Sequence, residues 1–182
     1  FECIQDIVGY MDLCYISYDD PELYCDLFKN VGEVMKSIWS TFLERYGDIY
    51  VVCRFGDDLG FRTTTLISAE DIKTHIIPRY KLVVDLVHSY NKPFLLHSCG
   101  NIFNVMDDII GVAGIDAKHS NEDAIAPFTD WVDKYGDKIG NFGGIDTDVL
   151  CRESTTSISE KVKEVMAYCN GKGGFALSSG NS

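Results

Sequence analysis

Two side chains that could bind a metal stand close together in this sequence, His97 and Cys99, with one residue between them. They follow the apolar run 93–96 and precede a Gly-Asn turn. If that run is a strand, both side chains point to the same side of it, because side chains alternate along a strand with period two. Imidazole nitrogen and thiolate sulfur are ligands that zinc accepts. Two ligands do not complete a site, so the rest of the chain must supply another.

The elements that would position this pair alternate between strand and helix. The apolar runs predict strands at residues 49–55, 94–97, 115–119, 139–142 and 174–177. Apolar spacings of three and four, with capping and proline signals, predict helices at residues 3–13, 20–46, 68–90 (interrupted at Pro78), 102–110, 127–134 and 157–169. Repeated alternation implies a parallel sheet with right-handed crossovers. The predicted fold class is therefore α/β.

Two α/β architectures are compatible with about five parallel strands. A doubly wound open sheet would be complete at 182 residues, but no GxGxxG-type loop follows any predicted strand. A (β/α)8 TIM barrel needs eight strands and about 250 residues. The sequence begins inside a helical region and ends at a strand terminus, which favours the carboxyl-terminal portion of a barrel. We expect residues 1–182 to form a single domain, an incomplete barrel without its amino-terminal strands and last helix.

Polar side chains follow every predicted strand, at the edge where parallel α/β sheets carry their chemistry. Each of them alone has an ordinary explanation as a turn former, a helix cap or an exposed polar group. Their convergence at one edge favours a functional site. The candidates are Asp57 and Asp58 after the first strand, His97 and Cys99 after the second, His119 after the third, Asp146 after the fourth, and Ser178, Ser179 and Asn181 after the fifth.

Composition and charge exclude several functional classes. The formal net charge is −12, from 16 basic and 28 acidic residues, and the basic residues do not cluster. A surface that binds nucleic-acid phosphates is therefore not expected. No apolar run approaches the roughly 20 residues of a membrane span. The seven cysteines form no regular framework and no secretion leader precedes them, so we expect reduced thiols and a cytoplasmic protein.

Four longer stretches share a pattern with a known group of proteins. They are Phe55-Gly56-Asp57-Asp58, Leu95-Leu96-His97-Ser98-Cys99-Gly100-Asn101, Gly143-Gly144-Ile145-Asp146 and Leu177-Ser178-Ser179-Gly180. In this order and spacing they resemble the uroporphyrinogen decarboxylase superfamily, which includes cobalamin-dependent methyltransferases such as the methylcobamide:coenzyme M methyltransferases. The resemblance extends along nearly the whole chain. It implies the carboxyl-terminal half to two-thirds of that family's TIM barrel.

Within this superfamily the chain resembles the thiol-directed methyltransferases more than the decarboxylases. The resemblance implies that His97 and Cys99 are metal ligands, because they match the first part of a zinc motif HxC…C. The last cysteine of that motif falls around Gly180-Asn181, where this chain has no cysteine.

A different side chain could replace the missing thiolate, because zinc accepts N, S and O ligands. A ligand set with one thiolate fewer has harder donor atoms, so other divalent metals could compete with zinc. The candidate replacements are the carboxylates of Asp57, Asp58 and Asp146 and the imidazole of His119. Asp57 and Asp58 are also the candidate catalytic carboxylates. The candidates for a further ligand or a substrate contact are His119, Asp146, Ser179 and Asn181.

The resemblance implies metal-dependent, corrinoid-linked methyl transfer on a small-molecule substrate, with zinc as the expected metal. The corrinoid would be carried by a partner protein, since the sequence shows no corrinoid-binding module. Nucleic-acid and membrane partners are not expected, and a homo-oligomer is a candidate assembly. One alternative is cofactor-free tetrapyrrole decarboxylation, which in that branch needs an arginine clamp that lies outside these residues. Another is an inactive truncated barrel that associates to cover its open sheet edges.

Overall fold

The computed structural model, which describes residues 1–181, has the α/β architecture that the alternation of elements predicts. The strands are β1 (Cys53–Gly56), β2 (Phe94–His97), β3 (Ala117–His119), β4 (Gly140–Ile145) and β5 (Phe175–Ser179). The α-helices are α1 (Glu2–Val8), α2 (Tyr10–Asp19), α3 (Pro21–Tyr46), α4 (Ala69–Asp71), α5 (Ile77–Ser89), α6 (Met106–Asp108), α7 (Phe128–Tyr135), α8 (Thr147–Arg152) and α9 (Thr155–Cys169). Two π-helical turns, Ile72–Ile76 and Ile109–Ala113, continue the short helices α4 and α6.

The strands form one five-stranded sheet in the order β1-β2-β3-β4-β5. The pairs β2/β3, β3/β4 and β4/β5 are parallel. Because every connection returns the chain to the same end of the sheet, the carboxyl ends of the strands lie at one edge. The prediction of an α/β fold with five parallel strands is confirmed.

The first strand is shorter than the apolar run 49–55 predicts. β1 begins at Cys53, and the exposed fractions of Ile49 (71%) and Val51 (84%) show that this part of the run is not buried. The ring of Tyr50 lies 5.0 Å from the ring of Phe42 in α3. The buried-strand prediction is wrong for residues 49–52, because apolar content alone does not separate a buried strand from an exposed apolar segment.

Capping residues explain where several helices begin. The carboxylate of Asp20 accepts a hydrogen bond from the backbone N–H of Leu23 at 3.0 Å, so α3 begins where the sequence predicts. The hydroxyl of Ser154 accepts from the N–H of Ser157 at 3.1 Å. Ser157, at which the predicted helix 157–169 begins, therefore lies inside α9. Gly9, with φ of 94°, divides the predicted helix 3–13 into α1 and α2.

The chain divides into two compact units, each built from three segments. The first comprises Phe1–Cys53, Ile67–Phe94 and Phe103–Gly114. Within it α3 packs against α5, and the π-helical turn Ile109–Ala113 also contacts α5. The predicted interruption near Pro78 takes the form of the π-helical turn before α5. Pro78 lies in the first turn of α5, where its missing N–H is tolerated.

The second unit comprises Arg54–Leu66, Leu95–Ile102 and residues 115–181. Within it α7 and α9 both pack on β4. All of the strand-end residues predicted from the sequence belong to this unit. One apolar cluster in this unit consists of Phe128, Val132, Ile145, Val165 and Cys169. In residues 1–181, no helix has the length and apolar character needed to cross a membrane.

One lysine is buried in the second unit. Lys118 in β3 is 3% exposed, and its Nζ atom lies 3.9 Å from the ring centre of Trp131. The same atom donates a hydrogen bond to the carbonyl oxygen of Ser120. Burial lowers the pKa of Lys118 to about 7, because removal from water penalises the charged amine more than nearby negative groups favour it.

We predict that the free energy of unfolding rises with pH above neutrality because of Lys118. In the unfolded chain the amine keeps its proton up to about pH 10.4, whereas in the folded protein its pKa is about 7. Between these values the unfolded state binds more protons, so stability increases with pH. Replacing the amine by an apolar side chain, in Lys118→Met, should remove this contribution. It should also raise the free energy of unfolding at pH 7 by on the order of 1–3 kcal/mol.

Urea unfolding at several pH values between 7 and 10 measures both effects. Lys163→Met, at an exposed position of α9, is the matched control and should keep the pH dependence of the wild type. An identical pH dependence in the wild type and Lys118→Met would contradict this account of the buried amine.

Candidate metal centre

The site is built on the register between β2 and β3. His97 pairs with His119, so their side chains leave the sheet on the same side. Backbone hydrogen bonds extend the pairing at the carboxyl ends of the strands. The N–H of Ser98 donates to the carbonyl of His119 at 2.7 Å, and the N–H of Asp57 donates to the carbonyl of His97 at 2.9 Å. These bonds determine where the chain after β1 lies relative to the two histidines.

The loops that follow β1 and β2 contact each other through two glycines. Gly100 has a φ of +82°, and a Cβ atom at this position would overlap the backbone of Gly60. The N–H of Gly60 donates to the carbonyl of Cys99 at 3.2 Å. This close backbone approach is possible because neither residue has a Cβ atom. It holds Cys99 next to the loop that carries Asp58.

Three side chains of different chemistry converge where these loops meet. Ligand atoms of Asp58, His97 and Cys99 all lie within 4.8 Å of one another. His97 Nε2 is 3.5 Å from Cys99 Sγ and 3.9 Å from Asp58 Oδ1. Asp58 Oδ1 also accepts the backbone N–H of Cys99 at 2.8 Å. Carboxylate, imidazole and thiolate are all zinc ligands, so this group could hold a metal ion.

Two polar side chains donate hydrogen bonds to the sulfur of Cys99. Ser120 Oγ lies 3.3 Å and Asn181 Nδ2 lies 3.2 Å from Sγ. Burial raises the pKa of the Cys99 thiol, and the nearby Asp58 carboxylate raises it further, whereas the hydrogen bonds from Ser120 and Asn181 oppose this shift. These donors therefore stabilise the thiolate, which is the form of cysteine that binds metals.

The imidazoles of His97 and His119 contact each other. Their Nδ1 atoms are 2.6 Å apart, and His119 Nε2 lies 3.1 Å from the carbonyl oxygen of Ser179. Burial lowers the pKa of both side chains, and the positive charge of Arg54 also lowers it. Both rings are therefore mainly neutral at pH 7, as metal binding by an imidazole requires.

Two of the predicted carboxylates lie outside this group. Asp57 is 2% exposed and contributes the backbone hydrogen bond to β2 described above. Asp146 caps α8, because its Oδ1 atom accepts the N–H of Asp148 at 2.7 Å. Its Oδ2 atom accepts the N–H of Asp123 at 2.8 Å. Both oxygens of Asp146 thus bind backbone amides.

Three more of the predicted residues support the group without joining it. His119 contacts His97, Ser179 contributes its backbone carbonyl, and Asn181 contributes its side-chain amide. Within residues 1–181, the group with metal-ligand spacing consists of Asp58, His97 and Cys99.

The sequence prediction misses Ser120 and Asn121. Ser120 directly follows His119, so a survey of strand ends that continued by one residue would have found its hydroxyl. Asn121 is 5% exposed, and its Oδ1 atom accepts the N–H of Gly144 at 2.8 Å. The backbone N–H of Asn121 donates to the carbonyl of Gly180 at 2.8 Å. Asn121 therefore connects the end of β3 to β4 and to the segment that carries Asn181.

We predict that Ser120→Ala slows the alkylation of Cys99. Loss of the hydroxyl donor raises the pKa of the thiol, and only the thiolate reacts, so the rate at pH 8 should fall several-fold. Mass spectrometry of peptides after timed iodoacetamide treatment separates Cys99 from the other cysteines. Ser159→Ala, at an exposed serine of α9, is the control. An unchanged Cys99 rate in Ser120→Ala would show that the hydroxyl does not stabilise the thiolate.

The fold of the chain is similar to that of a methyltransferase from Methanosarcina mazei, with a TM-score of 0.74 and 17% sequence identity. The similarity covers 98% of this chain and 50% of that chain, so this chain spans about half the length of that methyltransferase. No family model matches the chain, and no curated protein matches it. At this level of identity the likeness establishes the fold.

Proposed function

We propose that the protein is a metal-dependent methyltransferase of the uroporphyrinogen decarboxylase superfamily, in which Asp58, His97 and Cys99 bind one divalent ion. The observation that carries the proposal is the convergence of these three ligands within 4.8 Å at the carboxyl edge of a parallel sheet. The likeness in fold to the methyltransferase from Methanosarcina mazei supports it. The four sequence stretches that resemble the superfamily also support it.

A (β/α)8 barrel is the architecture that we propose for the whole protein. Sequential order of parallel strands, with helix in the connections, is what part of such a barrel would have. The match to about half of a longer methyltransferase chain agrees with this proposal.

Zinc is the ion that we expect at the site. With Asp58 and Cys99 as anions and His97 neutral, the ligand charges balance those of a dication. A second thiolate in place of the carboxylate would give the same sum. Asp58 can therefore replace the thiolate expected near Gly180-Asn181 without changing the net charge of the site. The carboxylate is a harder ligand, which widens the range of divalent ions that can compete.

A small-molecule thiol is the substrate that we propose for this site. The three ligand residues are all partly exposed, so the group is open to a substrate, as catalytic zinc sites are. Ser120 and Asn181 stabilise the thiolate of Cys99, and the burial of His97 keeps its ring neutral. Bound there, a divalent ion would supply Lewis acidity, which lowers the pKa of a substrate thiol so that it is a nucleophile at neutral pH. A corrinoid on a partner protein is the proposed methyl carrier.

The metal content of the full-length protein tests the metal site. We expect one divalent ion per chain, and a loss of zinc affinity of roughly 100-fold or more in Asp58→Asn, His97→Ala and Cys99→Ser, since each removes a ligand. Competition with a chromophoric chelator measures this affinity. Cys151→Ser and Asp137→Asn, at exposed positions, are matched controls that should bind zinc as the wild type does. A wild-type protein that binds no divalent ion would refute the site.

Methyl transfer is tested separately with the zinc-loaded protein, a methylated corrinoid and a panel of small thiols. Demethylation of the corrinoid changes its absorption spectrum. We expect thiol-dependent demethylation that Cys99→Ser abolishes and Cys151→Ser retains. Zinc binding without any demethylation would contradict the proposed reaction and leave the metal site in place.

A further inference from the structure

The hydrogen-bond partners of His119 determine which of its nitrogens carries a proton. Nε2 lies 3.1 Å from the carbonyl oxygen of Ser179. A carbonyl oxygen can only accept a hydrogen bond, so Nε2 must be the protonated nitrogen. In a neutral ring, Nδ1 of His119 then carries a lone pair and can only accept.

The protonation of His97 follows from that of His119. The two Nδ1 atoms are 2.6 Å apart, a distance at which one must donate to the other. Because His119 Nδ1 is an acceptor, His97 Nδ1 carries the proton. The lone pair of neutral His97 is then on Nε2, the atom that lies 3.5 Å from Cys99 Sγ and 3.9 Å from Asp58 Oδ1.

We propose that His119 is a positioning residue that selects the tautomer of His97 and so presents the Nε2 lone pair to Asp58 and Cys99. This inference rests on the proposed metal function of that group. Metal-bound histidines commonly donate a hydrogen bond from the N–H of their second ring nitrogen to a carboxylate, carbonyl or water. This partner fixes the orientation and the tautomer of the ring. In this protein the acceptor is a second imidazole, which the Ser179 carbonyl in turn orients.

Burial makes this arrangement specific. His119 is 7% exposed, and the side chain of His97 is 12% exposed, so water has little access to replace the contact between them. In water, the neutral histidine side chain favours the proton on Nε2, which would block this atom as a ligand. The hydrogen bond between the two rings reverses that preference in the folded protein before any ion binds.

Three variants separate this role from simple packing. His119→Phe retains a ring of similar size and removes the acceptor. His119→Asn can place its side-chain oxygen close to the position of Nδ1 and retain an acceptor. His88→Phe, at an exposed position of α5, is the control. We expect zinc affinity to fall about 10–100-fold in His119→Phe, to recover most of this loss in His119→Asn, and to stay unchanged in His88→Phe.

Nitrogen-15 NMR of the metal-free protein reads the tautomer directly, and the four histidines make assignment simple. We expect His97 to be protonated on Nδ1 in the wild type, and to shift toward the Nε2-protonated form in His119→Phe. A wild-type His97 protonated on Nε2, or a tautomer that His119→Phe leaves unchanged, would overturn the inference. Because this measurement needs no metal, absence of zinc binding refutes the proposed function, and the NMR spectrum still decides the tautomer.

Discussion

The pairing of His97 with His119 across β2 and β3 is the contact on which the rest of the candidate site depends. A slip of the register by one residue would turn one of the two side chains to the other face of the sheet. The pairing brings the two Nδ1 atoms to 2.6 Å, and backbone bonds from Ser98 and Asp57 extend it beyond the strands. The orientation of His97, and with it the side on which a metal could bind, follows from this register.

The other parts of the site converge on the sulfur of Cys99. Ser120 approaches it from the end of β3 and Asn181 from the segment after β5. The carboxylate of Asp58 accepts a hydrogen bond from the backbone N–H of Cys99. The polar groups that surround the thiol thus come from several strand ends, and only the correct sheet brings them together. The side chain of Asp58 is 37% exposed, against 12% for His97, so the carboxylate is the more open side of the group.

Local sequence signals predict the strand that carries His97 and the helix that begins at Asp20, because both depend on neighbouring residues. They also identify Asp58 as a candidate, together with Asp57 and Asp146, but cannot choose among the three carboxylates. Which carboxylate joins the ligand group depends on the contact between Gly60 and Gly100, two residues that are far apart in the sequence. Likewise, the sequence indicates His119 as a possible ligand, whereas its contact with His97 depends on the strand register. Long-range contacts therefore decide which predicted residues form the ligand group.

X-ray absorption at the zinc edge of the zinc-loaded protein is the decisive measurement for a centre formed by Asp58, His97 and Cys99, because it counts sulfur ligands. We predict a single sulfur at about 2.3 Å and nitrogen or oxygen ligands at about 2.0–2.2 Å, with the sulfur lost in Cys99→Ser. Two or more protein sulfur ligands, or none, would contradict a centre formed by Asp58, His97 and Cys99.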